Sequence, residues 1–68
     1  MTNQITIEAV NQIRITKDRN WYTISIYEGE LITDVFQVQD SITAIQQLNK
    51  RGQKLTRGNR SDIKSLIK

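Results

Sequence analysis

From Ile5 to Val38 apolar and polar residues alternate through much of the chain; after Asp40 the apolar residues recur three apart, at Ile42, Ile45 and Leu48. Alternation sends successive side chains to opposite faces of a strand, and spacing of three to four marks one face of a helix. Strands therefore come first and helix last. In a chain of 68 residues this order predicts one small α+β domain over residues 1–68. A fold of this size buries only about 60% of the surface its unfolded chain exposes, so its stability is marginal.

The strand region spans about residues 4–38 and reads as an antiparallel meander of three to four strands. Ile5, Ile7, Ala9, Ile13 and Ile15 share one face of the first stretch. Asn11 interrupts the apolar face and Val10 the polar one, which predicts a bend, bulge or turn at residues 9–12. The pattern allows one long bent strand or two short ones. Lys17, Asp18, Arg19 and Asn20 form a polar turn. In the next strand Tyr22, Ile24 and Ile26 share one face, with Trp21, Thr23, Ser25 and Tyr27 on the other. Gly29, between Glu28 and Glu30, suits a tight hairpin turn. In the last strand Ile32, Phe36 and Val38 are expected on one face, and Asp34 among them predicts a bulge or an edge position.

The helical region reads as a main helix over about 41–51 and a short one over about 62–68. Asp40 or Ser41 caps the first, Lys50 and Arg51 suit its negative end, and Gly52 can stop it. Residues 53–60 read as a basic loop around Gly58 and Asn59, from which Leu55 tucks inward. Ser61 is the expected cap of the second helix, which docks through Ile63, Leu66 and Ile67. The expected core is Ile24, Ile26, Phe36, Ile42, Ile45 and Leu48, extended by Ile5, Ile7, Ile13 and Ile15.

The composition excludes several chemistries. There is no Cys and no His, hence no disulfide and no thiolate; a zinc site would have to be built from carboxylates only, and haem ligation is equally poorly supported. The commonest proton shuttle near neutral pH is missing too. The longest apolar runs are two residues, against about 20 for a membrane span. The start MTNQITIEAV has neither the basic region nor the apolar core of a signal peptide. Without Cys the chain fits a cytoplasmic protein.

Charge is the strongest functional signal. Residues 1–49 hold three basic against six acidic residues, net −3, and residues 50–68 hold seven basic against one acidic, net +6. Such asymmetry suits a segment that meets a polyanion. Lys50, Arg51, Lys54, Arg57, Arg60 and Lys64 are the candidate phosphate contacts, of DNA or of RNA. The plainer reading of the same residues is a solvated surface.

Other motifs carry less. Ser61 and Lys64, and again Ser65 and Lys68, have the S-x-x-K spacing of serine acyltransferases, but no partner motif accompanies them and capping accounts for Ser61. Glu28, Glu30, Asp34 and Asp40 fit no calcium-loop spacing. Gly29, Gly52 and Gly58 are isolated and form no phosphate loop. The chain is thus expected to hold no metal or cofactor and to be no enzyme.

The residues Trp21, Tyr22, Tyr27, Glu28, Gly29, Phe36, Ala44 and Leu48 resemble the arm-binding N-terminal domain of phage-type tyrosine integrases. The resemblance covers under half the chain. It implies a three-stranded sheet plus a helix, with the sheet laid in the DNA major groove. The strands from Trp21 to Val38 depart from it, for they carry no Lys or Arg, and Glu28, Glu30 and Asp34 around their turn would be repelled by phosphates. No residue roles are carried over.

Two functions follow. The first is a small non-enzymatic protein that binds nucleic acid through its basic C-terminal segment. The second is a phage-type inhibitor or adaptor that engages a larger protein or nucleoprotein complex through Trp21, Tyr27, Glu28, Glu30 and Asp34. Homodimerisation through an edge strand would complete a thin core. No membrane partner is expected.

Overall fold

Isoleucine pairs two residues apart, repeated on successive hairpins, fix how the strands meet. The computed structural model describes residues 4–67, so Lys68 of the expected last helix and residues 1–3 of the expected domain lie outside the described residues. Four strands, β1 (Gln4–Glu8), β2 (Gln12–Asp18), β3 (Trp21–Glu28) and β4 (Leu31–Val38), form an antiparallel meander in the order β1-β2-β3-β4. Two helices follow, α1 (Ser41–Lys50) and α2 (Arg57–Leu66). The expected α+β fold is the one observed.

The register lays the apolar side chains in rows across the sheet. Ile5 faces Ile15, Ile15 faces Ile24, and Ile24 faces Phe36. A second row runs Ile7, Ile13, Ile26, Asp34. Directly opposed β-branched and aromatic side chains are the unit of sheet stabilisation. These rows lie under the helices, where Ile13, Ile15 and Ile24 are fully buried with Leu48 and Ile63.

The first stretch resolves into two strands rather than one. Its chain reverses over residues 9–11, where the Ala9 N–H donates to the Asn11 carbonyl at 3.0 Å. Asn11 is held from outside the hairpin. Its N–H donates to Gln53 Oε1 at 3.0 Å, and Gln53 Nε2 donates to Asn11 Oδ1 at 3.1 Å. Gln53 is buried, 5% exposed, and this reciprocal pair satisfies its amide. The break in the apolar pattern at Asn11 is therefore the seat of a contact 42 residues away in sequence.

β4 carries the predicted irregularity and is also an edge strand. Ile26 faces Asp34 but Tyr27 faces Ile32, so Thr33 is the extra residue of a bulge. The Thr33 hydroxyl donates to the Ile26 carbonyl at 3.2 Å. The bulge corrects the expected placement of Ile32, which turns from the face of Phe36 and Val38 to the open face beside Tyr27. The Gly29 turn is tight as expected, but β2 runs on through Lys17 and Asp18, so only Arg19 and Asn20 remain of the expected turn over residues 17–20. Gly29 takes a φ of +66°, while in the β2–β3 turn Arg19, not Asn20, takes a positive φ of 54°.

In α1, Asp40 Oδ1 accepts the Thr43 N–H at 2.7 Å and is the N-cap. At the other end the Gly52 N–H reaches the Asn49 carbonyl and the Gln53 N–H the Leu48 carbonyl, the pairing of a Schellman stop with Gly52 at a φ of +81°. Ile42, expected in the core, is 66% exposed. Ala44 and Leu48 face the sheet instead, and Ile42 lies about 160° round the helix from Ala44. The small Ala44 side chain allows close approach at that line.

The second helix is longer than expected. It starts at Arg57, not near residue 62, and Thr56 rather than Ser61 is its cap, accepting the Asn59 N–H at 3.1 Å. Only residues 53–56 remain of the expected 53–60 loop. Gly58 and Asn59, which read as breakers, sit in the first turn, and Asn59 Nδ2 donates to the Glu8 carbonyl at 2.9 Å. That bond ties the start of α2 to β1. Ile63 and Ile67 are buried and Leu66 is half-buried, as expected.

Two outcomes test this description. Gln53→Leu removes both partners of Asn11 and should cost about 1–3 kcal/mol in urea unfolding, because buried polar groups are left unpaired. Asn11→Ala should cost little more on top of it in a double-mutant cycle. At Asp40 the Thr43 N–H, then the Thr43 side chain, hold the carboxyl below its ordinary value. A lowered native pKa means that the cap contributes fully above the unfolded value and is lost as pH falls through the native one. The gap in melting temperature between the protein and Asp40→Ala should therefore be present at neutral pH and shrink as acidification carries the solution below the ordinary carboxylate range.

Candidate nucleic-acid interface

Because α2 begins at Arg57, three of the candidate cations stand on one helix. Arg57, Arg60 and Lys64 are spaced three and four apart, so they fall within an arc of about 60°. All three are exposed. The helix is anchored by buried Ile63, about 60° round from Arg60, and by the Asn59 contact to β1. Arg57, Arg60, Ser61, Lys64 and Ser65 line an open groove of about 490 Å³. The Ser65 hydroxyl donates to the Ser61 carbonyl at 3.0 Å. Asp62, the one acid of the helix, lies about 140° from Arg57 and lines a different groove with Ile5, Thr6, Ser65 and Leu66.

The remaining cations are placed differently. Lys50 is exposed in the last turn of α1, and Lys54 is exposed in the 53–56 loop. Arg51 is engaged within the fold. Its Nε is 2.6 Å from Asp34 Oδ2, its Nη1 donates to Gln47 Oε1 at 2.6 Å, and its guanidinium sits 4.0 Å from the centre of the Phe36 ring. The row of isoleucines that ends on β4 at Asp34 is thus closed by a charge from the end of α1. Arg51 covers an apolar edge and neutralises Asp34.

The residues of the protein-binding alternative are divided by the sheet. Trp21 and Tyr27 occupy the face away from the helices, with Trp21 44% exposed and the Arg14 guanidinium 5.2 Å from the centre of the Tyr27 ring. Ile32 and Val35 join that face, each 53% exposed. Glu28 and Glu30 are exposed at the β3–β4 turn, whereas Asp34 lies on the helix side. Helix α2 packs on β1 and α1 on β4, so the basic row and the acidic turn belong to opposite edges of the sheet. Among the described residues no three acidic side chains gather as a metal site would need, and no helix is long and apolar enough to cross a membrane.

Sequence reading missed the common face of Arg57, Arg60 and Lys64 because Gly58 and Asn59 marked the segment as loop. The signal was present in Thr56, which stands three residues before Asn59, and in the three-and-four spacing of the cations themselves. The buried role of Gln53 had no local signal, because its partner is distant in sequence.

Arg51→Ala should destabilise the protein by about 1 kcal/mol, as expected for a half-exposed ion pair with a ring contact. It should leave any salt-dependent binding to nucleic acid unchanged, as read by chemical denaturation and by fluorescence anisotropy on one sample.

Comparison with known proteins adds no further constraint: no protein-family model, curated protein or solved structure matches this chain.

Proposed function

We propose that this protein is a non-enzymatic nucleic-acid-binding protein that holds phosphates with the exposed row Arg57, Arg60 and Lys64 on α2. The observation that carries the reading is that these three cations share one helix face with no acid among them. Arg and Lys side chains on such a face can reach phosphate oxygens, and Ser61 beside them can donate a hydroxyl. Lys50 and Lys54 supply additional positive charge, while Arg51 keeps its structural task. Contacts of this kind bind sequence-independently, with Kd values of about 10⁻⁴–10⁻⁶ M at physiological salt. The cytoplasm, where such partners are at hand, is the proposed location.

A second reading rests on the open sheet face. Trp21, Tyr27, Ile32 and Val35 lie there with Ser and Thr between them, and aromatic residues with few charges are what protein interfaces concentrate at their centres. This face, with Glu28 and Glu30 at its end, would serve an inhibitor or adaptor of a larger complex. Pairing of two copies edge to edge through β4 is opposed by the Thr33 bulge and by the helix-side ion pair at Asp34.

The first reading is tested with Arg57→Ala/Arg60→Ala/Lys64→Ala. The three changes are at exposed positions, so stability should move by less than about 0.5 kcal/mol per site. Affinity for labelled nucleic acid should fall, and the dependence of log Kd on log salt should lose about one unit of slope per cation removed. Equal affinity and slope in the variant would refute the assignment.

A further inference from the structure

The basic row has no aromatic platform. The aromatic residues are Trp21, Tyr22, Tyr27 and Phe36, and the chain from Gln37 onward contains none. Tyr22 is buried, and Phe36 is covered by Arg51. Trp21 and Tyr27 sit on the sheet face opposite the helices. A strand gripped by α2 could reach them only by wrapping an edge of a body measuring 26 × 23 × 20 Å. Such a strand would also pass onto a face that, among the described residues, bears Glu8, Asp18 and one cation, Arg14.

Single-stranded nucleic acid is held by two things together, a positive groove along the backbone and aromatic side chains on which its bases stack. Stacking contributes about 1–3 kcal/mol per base. At α2 only the first is available. A double helix asks for less, because its bases are already stacked on one another. It also offers more charge, about one per 1.7 Å of axis with both strands counted, against about 3.4 Å for each strand alone. The cations from Arg57 to Lys64 span about 10.5 Å of helix axis, a length over which a duplex presents about six phosphates.

Resting on the nucleic-acid reading above, we infer that the partner of the α2 row is double-helical, bound through its phosphates, and that the open sheet face takes no part in holding it. Deoxyribo- and ribo-duplexes share the phosphate chemistry that this row recognises. A duplex held this way lies against Arg57, Arg60 and Lys64 and leaves Trp21 in solvent on the far side.

The test titrates the full chain into four labelled probes of equal length, DNA and RNA, each as duplex and as single strand, at low and near-physiological salt. Anisotropy gives affinity, and emission of Trp21, the one tryptophan, reports stacking on the open face. At least one duplex should bind about fivefold or more tighter than its own single strand, reflecting the higher charge density. The slope of log K against log salt should be about −2.7 for three phosphate contacts, or about −4.5 if Lys50 and Lys54 join. Trp21 emission should not change at saturation. Tighter or equal binding of both single strands, or quenching of Trp21 by either, would overturn the inference while leaving the nucleic-acid reading intact. Absence of binding to every probe at low salt would overturn both. Preference for the DNA or the RNA duplex identifies the source.

Discussion

Ile5, Ile15, Ile24 and Phe36 stand side by side across four strands, and the helices cover only that side of them. A chain of this length has too few large apolar residues to cover a sheet on both faces. Both helices must therefore sit on the same face. That constraint sets the rest: what α1 and α2 carry on their outer surfaces points one way, and what alternates with the isoleucines points the other. The separation of the cations of α2 from Trp21 and Tyr27 follows from this one-sided burial.

Distant polar contacts finish what the apolar rows begin. Gln53 reaches back to the β1–β2 turn, Asn59 to the end of β1, and Arg51 to Asp34 on β4. Each joins the C-terminal third to a strand or to the turn between two, and together they attach the helices at both edges of the sheet. The basic segment is thus not a single surface. Arg51 lies back against Asp34 and Phe36 on β4, while Arg57, Arg60 and Lys64 point outward from α2. Counting charges along the sequence treats the two sets alike. Their geometry separates a structural guanidinium from an exposed row able to meet phosphates.

The acidic residues divide in the same way. Asp40 caps α1 and Asp34 is paired, whereas Glu28 and Glu30 are exposed at the β3–β4 turn. The open face beside that turn is rich in hydroxyls and aromatic rings, unlike the cationic surface of α2. Two such different surfaces on opposite sides of a small body would allow it to touch two partners without competition between them.

By itself the sequence determined the order of elements, the strand region, the cap and stop of α1, the Gly29 turn, the irregularity at Asp34 and the inward face of the Ile-rich strands. Those features depend on residues close together in the chain: alternation, a capping carboxylate, a glycine able to take positive φ. Tertiary structure decided the rest. It split residues 4–16 into two strands, because Asn11 is bonded to Gln53 far along the chain. It turned Ile32 outward through a bulge at Thr33, and rotated α1 so that Ala44 rather than Ile42 meets the sheet. It also extended α2 back to Arg57, where Asn59 is anchored on β1. A seven-residue helix has little stability alone, and a docked one with its first turn tied down gains the length that brings Arg57, Arg60 and Lys64 onto one face.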